Sequence, residues 1–359
     1  MELTSLGWSE QWASELQSYG SARLVRITAR HKGFFGAISP EGREFHCYLP
    51  GRLQYQAAAG ELPAVGDWCV LEAEFIDESG KPAAAITQVL PRRSKISRLA
   101  SGHETEEQVL AANVDFCFIV TSANREFNIK RLHRYMLITR RGGVEPVLVL
   151  SKIDIAQDLP SIERDLQENF PDLNVIMSSV PSNRGLGEIK DRLKTGKTGV
   201  FIGSSGVGKS TLVNALLQRN EQRTREIRAN DDHGRHTTSS AALLFMPEGG
   251  MIIDTPGLRE IHVYGDSEDL ERTFEKLQIF ARNCKFRDCT HTAEPDCAVR
   301  AALGSGALPS EEYQNHLKLQ KELGHSRRQV DQRAAAKEKK RWKQVTTDMR
   351  KKRKFEEKD

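Results

Sequence analysis

Two kinds of hydrophobic pattern run along the chain, and the change from one to the other divides it. From about Ser21 to Ser97, short segments (Ala22–Thr28, Phe34–Ser39, Glu44–Leu49 and Trp68–Glu74) are separated by turns rich in Gly, Pro and Asp. Short strands punctuated this way predict a small closed or nearly closed β domain. Thr87–Leu90 reads as its last strand and Pro91-Arg92-Arg93-Ser94 as its exit. From about Leu99 to Val263 the apolar runs become nearly continuous, at Asp115–Val120, Pro146–Leu150, Val175–Met177, Val200–Ile202 and Met251–Ile253. Helical stretches lie between several of them, at Lys130–Arg140, Ser161–Asn169 and Leu186–Leu193. Strands apolar on both faces belong to parallel sheets covered by helices, so this region is α/β. Ahead of the β domain, Trp8, Trp12 and Leu16 recur at four-residue spacing and predict a short amphipathic helix. From Gly265 to Gly304 a cysteine cluster dominates, and the chain beyond is helical and increasingly charged; Glu311 to Arg341 also fits one charged helix.

Composition sharpens this in a few places. At 359 residues the chain holds two or three domains, and 38% hydrophobic residues exclude global disorder. The net charge of +4 says nothing as a total, but its distribution does: Ser326–Asp359 holds 14 Lys/Arg and 6 Asp/Glu, a net of +8, so the remainder carries −4. The longest apolar run, Ala241 to Met246, is far short of the ~20 residues of a membrane helix. The first twenty residues contain no Lys or Arg, hence no basic start of a secretory signal, and a cytoplasmic protein without a membrane partner is expected. Cys47, Cys69 and Cys117 stand singly in apolar segments and read as small buried hydrophobes, whereas Cys284, Cys289 and Cys297 surround His291.

The strongest chemical signal is Gly203-Ser204-Ser205-Gly206-Val207-Gly208-Lys209-Ser210, a G-x₄-G-K-S sequence between the apolar Val200–Ile202 and a helical Thr211–Leu217. That is the setting of a phosphate-binding loop, in which backbone N–H groups and the helix start face an anion. Lys209 then reaches the β/γ-phosphates and the Ser210 hydroxyl meets Mg²⁺. Asp254-Thr255-Pro256-Gly257 ends another apolar strand, as a second carboxylate on the Mg²⁺ side and a γ-phosphate sensor would: Asp254 for the metal, the Gly257 N–H for the phosphate. Ser151-Lys152-Ile153-Asp154 and Ser178-Ser179 end two more strands. Asp154 can accept from guanine N1–H and the exocyclic amine, a donor pair that adenine lacks; Lys152 can lie along the base, and the backbone near Ser178 can donate to the guanine oxygen.

These four elements resemble those of Ras-like GTPases, in another order: the base-reading pieces precede the phosphate loop and Asp254–Gly257 comes last. With Ala111-Ala112-Asn113-Val114-Asp115, Gly234-Arg235-His236-Thr237-Thr238 and the Cys/His cluster, nearly the whole chain resembles the circularly permuted, ribosome small-subunit-dependent GTPase A (RsgA/YjeQ) family. The resemblance implies an N-terminal extension (1–20), an OB-fold barrel that binds RNA (21–97), a permuted GTPase domain with a mostly parallel sheet (98–265), a zinc-binding domain (266–305) and a helical basic C-terminal region (306–359). It implies GTP hydrolysis stimulated by the small (30S) ribosomal subunit late in its maturation, with that subunit and its rRNA as partners and a monomeric enzyme. It suggests His236 for positioning water, since Leu258 stands where Ras-like enzymes place Gln, and one of Thr237 or Thr238 as a second hydroxyl on Mg²⁺. One departure stands out. The family's base motif usually begins with Asn and here begins with Ser151, whose short hydroxyl is expected not to bridge base and phosphate loop as an amide does. Two alternatives stay open: an RNA-binding assembly factor with a poorly hydrolysing, regulatory nucleotide site, and a GTPase acting on another RNA.

Cys284-x₄-Cys289-x-His291-x₅-Cys297 supplies three thiolates and one imidazole, a closed shell that suits one structural Zn²⁺ and leaves no position for a reacting water. Lys285, Arg287 and Arg300 flank it. With the tail they form either a solvated arm or a cationic surface for RNA, where Trp342 can stack on a base. Arg23, Arg26, Arg30, His31 and Lys32 lie near the first strands of the β domain, a second place for RNA contact.

Overall fold

A computed structural model of the chain describes residues 2–19, 23–56, 59–99, 107–124, 126–218, 241–255, 270–271, 273–287 and 289–324. The first part is a barrel. Strands β1 (Leu24–Arg30), β2 (Phe35–Ile38), β3 (Glu44–Tyr48), β4 (Trp68–Leu71), β5 (Phe75–Ile76) and β6 (Pro82–Val89) run in the order β1-β2-β3-β6-β4, and β4 pairs back onto β1. The ring of five therefore closes, with β3 and β6 its parallel pair, and β5 pairs with β6 off the ring. Val25, Ile27, Phe45, Cys47, Cys69 and Ile86 fill it, so two of the lone cysteines are buried as expected. The last strand begins at Pro82, five residues before the expected Thr87, because Ala83-Ala84-Ala85 pairs with β3 while carrying little hydrophobic signal.

The N-terminal segment departs from one amphipathic helix. Two 3-10 turns, Leu3–Leu6 and Glu10–Trp12, precede a short helix α1 (Ala13–Tyr19), so Trp8 lies outside the helix. The indoles still carry the packing: Trp8 meets Trp68 edge-on at 4.8 Å, and Trp12 Nε1 donates to the Pro91 carbonyl at 2.8 Å.

A short helix α2 (Gly51–Gln56) links β3 to β4, and β7 (Lys95–Leu99) pairs with β8 (Glu107–Ala112) as a separate ribbon. The α/β part follows with β9 (Phe116–Ser122), α3 (Ile129–Arg141), β10 (Glu145–Ser151), α4 (Leu159–Asn169), β11 (Val175–Met177) and α5 (Leu186–Arg192). It continues with β12 (Thr198–Ile202), α6 (Lys209–Leu216), β13 (Ala242–Phe245) and β14 (Met251–Asp254). The sheet order is β11-β10-β9-β12-β14-β13, parallel except for β13. β13 also bridges to β1 at Ala242 and Ala29, which joins barrel and α/β sheet edge to edge.

Beyond the sheet, α7 (Glu275–Ala281) and a helix α9 over residues 310–324 meet α3, and α8 (Ala298–Gly304) packs on α7. The Arg134 guanidinium grips both Glu322 oxygens at 2.8 Å, Arg140 meets Glu275 at 3.0 Å, and the His133 ring stacks on Phe274 at 4.8 Å.

The seam between barrel and sheet is held by Arg26, a residue assigned above to a possible RNA surface. It is instead fully buried. Its guanidinium donates to the carbonyls of Leu6, Gly66 (3.2 Å) and Asn113 (3.2 Å) and to Thr198 Oγ1 (2.9 Å), touching Met251 Sδ at 3.3 Å. Burial draws its pKa down to about 10. Asn113, in the left-handed region at φ 54°, returns the tie by donating to Gly66 O at 3.0 Å and accepting from Arg93 N at 3.0 Å.

Candidate functional site

Four strand ends meet at one edge of the sheet. Because β10, β11, β12 and β14 belong to one set of parallel strands, their C-terminal ends point the same way, and each carries one of the segments singled out by sequence. Such an edge, where loops cross from strand to helix, is where α/β sheets hold ligands.

The phosphate-type loop leaves β12 at Gly203 and enters α6 through Gly208, at φ 97°. Gly203 is obligatory: φ is +146°, and a Cβ there would lie 2.2 Å from the Val120 carbonyl oxygen. Val207 is buried and anchors the loop from within, while Ser205, Gly206, Ser210 and Thr211 are exposed. The first-turn N–H groups of α6 have no partners within the helix and suit an anion. Lys209 Nζ lies across the start of the loop, donating to the carbonyls of Gly203 at 2.7 Å and Ser204 at 2.5 Å.

The base-reading segment is tied to this loop. Ser151, buried at the end of β10, places its Oγ 2.6 Å from the Val207 carbonyl and 3.0 Å from that of Thr121. The expectation that a serine is too short to bridge is thus corrected in half: the hydroxyl does reach the phosphate loop. Lys152, at φ 59°, extends over the same loop and donates to Gly206 O at 2.7 Å. Ile153–Ile155 form one 3-10 turn that leaves Asp154 exposed. Ser178 and Ser179 are buried just past β11, where Ser178 N donates to Leu150 O at 2.8 Å and Ile153 N approaches Ser178 O at 3.4 Å. Asp254 closes β14 with its side chain exposed. His236, Thr237, Thr238, Gly257 and Leu258 lie outside the described residues, as do Trp342 and the basic tail.

One contact has no counterpart in the motifs. Arg131, whose backbone N–H is capped by the Asn128 side chain at the start of α3, donates from its guanidinium to the Ser204 hydroxyl and faces Glu126 at 3.4 Å. Nothing in the local sequence marks it, because the partner lies 73 residues away.

The Cys/His cluster forms a second centre. The ligand atoms of Cys284, Cys289, His291 and Cys297 all lie within 4.8 Å of one another. Cys284 Sγ is 3.9 Å from Cys297 Sγ, and His291 Nδ1 is 3.6 Å from both. A tetrahedral ion bonded to sulfur and imidazole at zinc-like lengths separates two sulfurs by about 3.8 Å and sulfur from nitrogen by about 3.6 Å, so the residues fit such an ion. His291 adopts φ 61°, and its carbonyl accepts from the Tyr313 hydroxyl of α9 at 2.6 Å. Glu294 folds the loop between the ligands by accepting from Thr290, Thr292 and Ala293, and the Thr290 hydroxyl and N–H foremost draw its carboxyl pKa down to about 2. Of the flanking cations, Lys285 pairs with Asp296 at 3.0 Å and Arg300 leans on Glu294 O at 3.4 Å.

The family model described as RsgA GTPase matches residues 89–264. A small ribosomal subunit biogenesis GTPase RsgA of Methanosarcina acetivorans is 38% identical over 350 residues, covering 97% of this chain and 93% of the relative. A protein named small ribosomal subunit biogenesis GTPase RsgA 2 of Lactiplantibacillus plantarum is 39% identical over 336 residues, 92% of this chain and 93% of its own length. Among solved structures, YjeQ from Thermotoga maritima is similar with a TM-score of 0.62 at 27% identity, covering 84% of this chain and 98% of that one. YloQ, described as a circularly permuted GTPase, is alike in fold, with a TM-score of 0.59 at 23% identity and coverage of 84% and 95%.

Proposed function

The chain belongs to the RsgA GTPase family, and from that membership we propose that it hydrolyses GTP on the small ribosomal subunit during the subunit's late maturation. The observation that carries this reading is the meeting of the phosphate loop with Ser151–Asp154, Ser178–Ser179 and Asp254 at one sheet edge, in permuted order.

In this reading Gly203–Thr211 cradles the phosphates, and Asp154 selects guanine through its two donors while Lys152 and Ile153 flank the base. Lys209 shifts from the loop carbonyls to the β/γ-phosphates, where a fixed positive charge stabilises the charge that develops in phosphoryl transfer. Ser210 and Asp254, joined by Thr237 or Thr238, are the groups to hold Mg²⁺, which when bound neutralises phosphate charge. We assign the orientation of the attacking water to His236 and the γ-phosphate contact to the Gly257 N–H. We assign the Cys284/Cys289/His291/Cys297 shell to one structural Zn²⁺, an assignment supported by the separations of 3.6 to 3.9 Å among Cys284, His291 and Cys297 and by the four protein donors. RNA contact belongs to the barrel (21–97) and to the basic region (306–359), with 98–265 turning over GTP and 266–305 presenting the metal-bound loop. A cytoplasmic monomer completes the reading, and no described helix is long and apolar enough to cross a membrane.

The test is GTP turnover by the full chain, alone and with isolated small subunits, beside Lys209→Ala. Stimulation by subunits that disappears in the variant is the expected result. Equal background rates with and without subunits would turn the reading toward an assembly factor whose nucleotide site is only regulatory.

A further inference from the structure

The barrel carries a cavity of about 680 Å³ that the nucleotide reading leaves unused, lined from β3, β5 and the turn that leads from β5 to β6. One side is aromatic. The Phe34 ring lies 4.3 Å from that of His46 and 6.2 Å from that of Tyr48, and the Tyr48 and Phe75 rings are nearly parallel, 6.2 Å apart at 25°. Phe75 and Ile76 are 48% and 63% exposed. Adjacent large apolar side chains left open beside a cavity are a surface suited to being covered. The walls are fixed by Asp77. Its Oδ2 accepts from His46 Nδ1 at 2.6 Å and from the Tyr48 hydroxyl at 3.4 Å, and its Oδ1 accepts from the Ser79 hydroxyl at 2.7 Å and Lys81 N at 3.0 Å. These bonds, that of the Ser79 hydroxyl foremost, hold the Asp77 carboxyl well below the usual carboxylate range.

Charge decides the occupant. On barrels of this kind the face over the second and third strands often takes oligonucleotides, and such platforms set their rings in a positively charged groove. Here the rings come with carboxylates instead. Asp77 and Glu78 line the cavity and no Lys or Arg does, and the segment 72–79 holds four acidic residues and no basic one. A phosphate chain laid here would meet negative charge. A guanidinium meets the opposite, because its plane stacks on aromatic faces and its charge is drawn both to those faces and to carboxylates. Arg43 makes such a pair of contacts on the same barrel, over the Phe45 ring at 5.2 Å and against Glu74 at 2.6 Å. We propose that the cavity is a docking site for an arginine side chain carried on a basic segment of a partner protein, and that this face of the barrel takes no RNA. The RNA contact assigned to the barrel then falls to its other faces. Nothing in the proposal depends on the nucleotide site.

The experiment titrates the full chain with a short labelled peptide of alternating Arg and Gly, and with the same peptide carrying Lys or citrulline in place of Arg, at physiological salt. Citrulline keeps the planar shape and lacks the charge. The Arg peptide is expected to bind about fivefold or more tighter than the citrulline peptide, with the Lys peptide between them. Phe75→Ser and Glu78→Gln, both at exposed positions, are expected to keep the native melting temperature and each to weaken the Arg peptide about threefold or more. Equal affinity for the Arg and citrulline peptides would overturn the proposal, and so would the absence of any peptide binding. An Arg peptide bound equally by the native chain and both variants would overturn it too, by placing the peptide on another acidic surface. A single-stranded RNA oligomer whose binding falls in Phe75→Ser would return this face to nucleic acid and defeat the assignment.

Discussion

Single residues decide most sharply where the backbone leaves no alternative. Gly203 is such a position, since its φ of +146° excludes other residues and an added Cβ would press on Val120 O at 2.2 Å. Gly203→Ala is expected to cost roughly 1–3 kcal/mol from strain alone, and more from the contact, because the β9 carbonyl cannot retreat from its own sheet. Calorimetric unfolding checks the loss, and a chain of unchanged melting temperature would refute the role given to this glycine. The same scale shows where residue chemistry misleads. Arg26 alternates out of the barrel core, as an exposed arginine should, yet the outside of the barrel is the inside of the molecule. Ser151 was legible as a departure from Asn, but not as a group that holds Val207.

At the scale of elements, α3 is the piece on which the most depends. Its reading as Lys130–Arg140 is close to the observed Ile129–Arg141, because the Asn128 cap and the apolar spacing are both local. Its partners are not local. His133 lies buried between Phe170 at 4.6 Å and Phe274 at 4.8 Å, with no partner on Nδ1. Burial, and secondarily the charge of Arg140, pushes its pKa down to about 3. A histidine whose folded pKa is depressed adds stability that is whole above its unfolded pKa and is lost as pH falls below it. Between about pH 6.5 and pH 3 the unfolded chain takes up a proton that the folded chain refuses, so stability drops by about 1.4 kcal/mol per pH unit from this residue. Urea unfolding at pH 7 and pH 5 is expected to show a steeper acid loss for the native chain than for His133→Phe. Equal slopes would mean that His133 is protonated in place. Of the last helices, α9 was foreseen as part of a charged helical region, and α7 and α8 fall in the segment read as a zinc-binding domain. Their contacts to α3 were not foreseen, since surface charges such as Glu275 and Glu322 do not announce that Arg140 and Arg134 will meet them.

At the scale of the whole molecule, the barrel and the α/β sheet share a seam instead of a linker. Arg26 joins the N-terminal turn, the barrel, the Asn113 turn and the first residues of β12 and β14, the strands that lead to the phosphate loop and to Asp254. Removing the guanidinium takes the side-chain donor from the Leu6 and Asn113 carbonyls, while Gly66 O keeps the Asn113 amide, a loss of about 1–3 kcal/mol for each group left without a partner. Arg26→Met is therefore expected to lower the melting temperature strongly, with barrel and sheet ceasing to unfold as one unit. A single sharp transition at the native temperature would count against a seam held by this residue.

What the sequence determined by itself is what contiguous residues encode. A glycine-rich turn between an apolar strand and a helix, and four metal-type ligands within fourteen residues, are local chemistry, and both were readable before any fold was known. The barrel and the parallel sheet were readable too, because the alternation or continuity of apolar residues reports how many faces of a strand are buried. Only the tertiary structure decided which distant groups touch: Ser151 with Val207 across 56 positions, Arg131 with Ser204 across 73, Arg26 with Thr198 across 172. Local sequence is blind to these pairs because a hydrogen bond needs its partners within about 3 Å and at a set angle, a condition the folded chain satisfies and no spacing along the chain records.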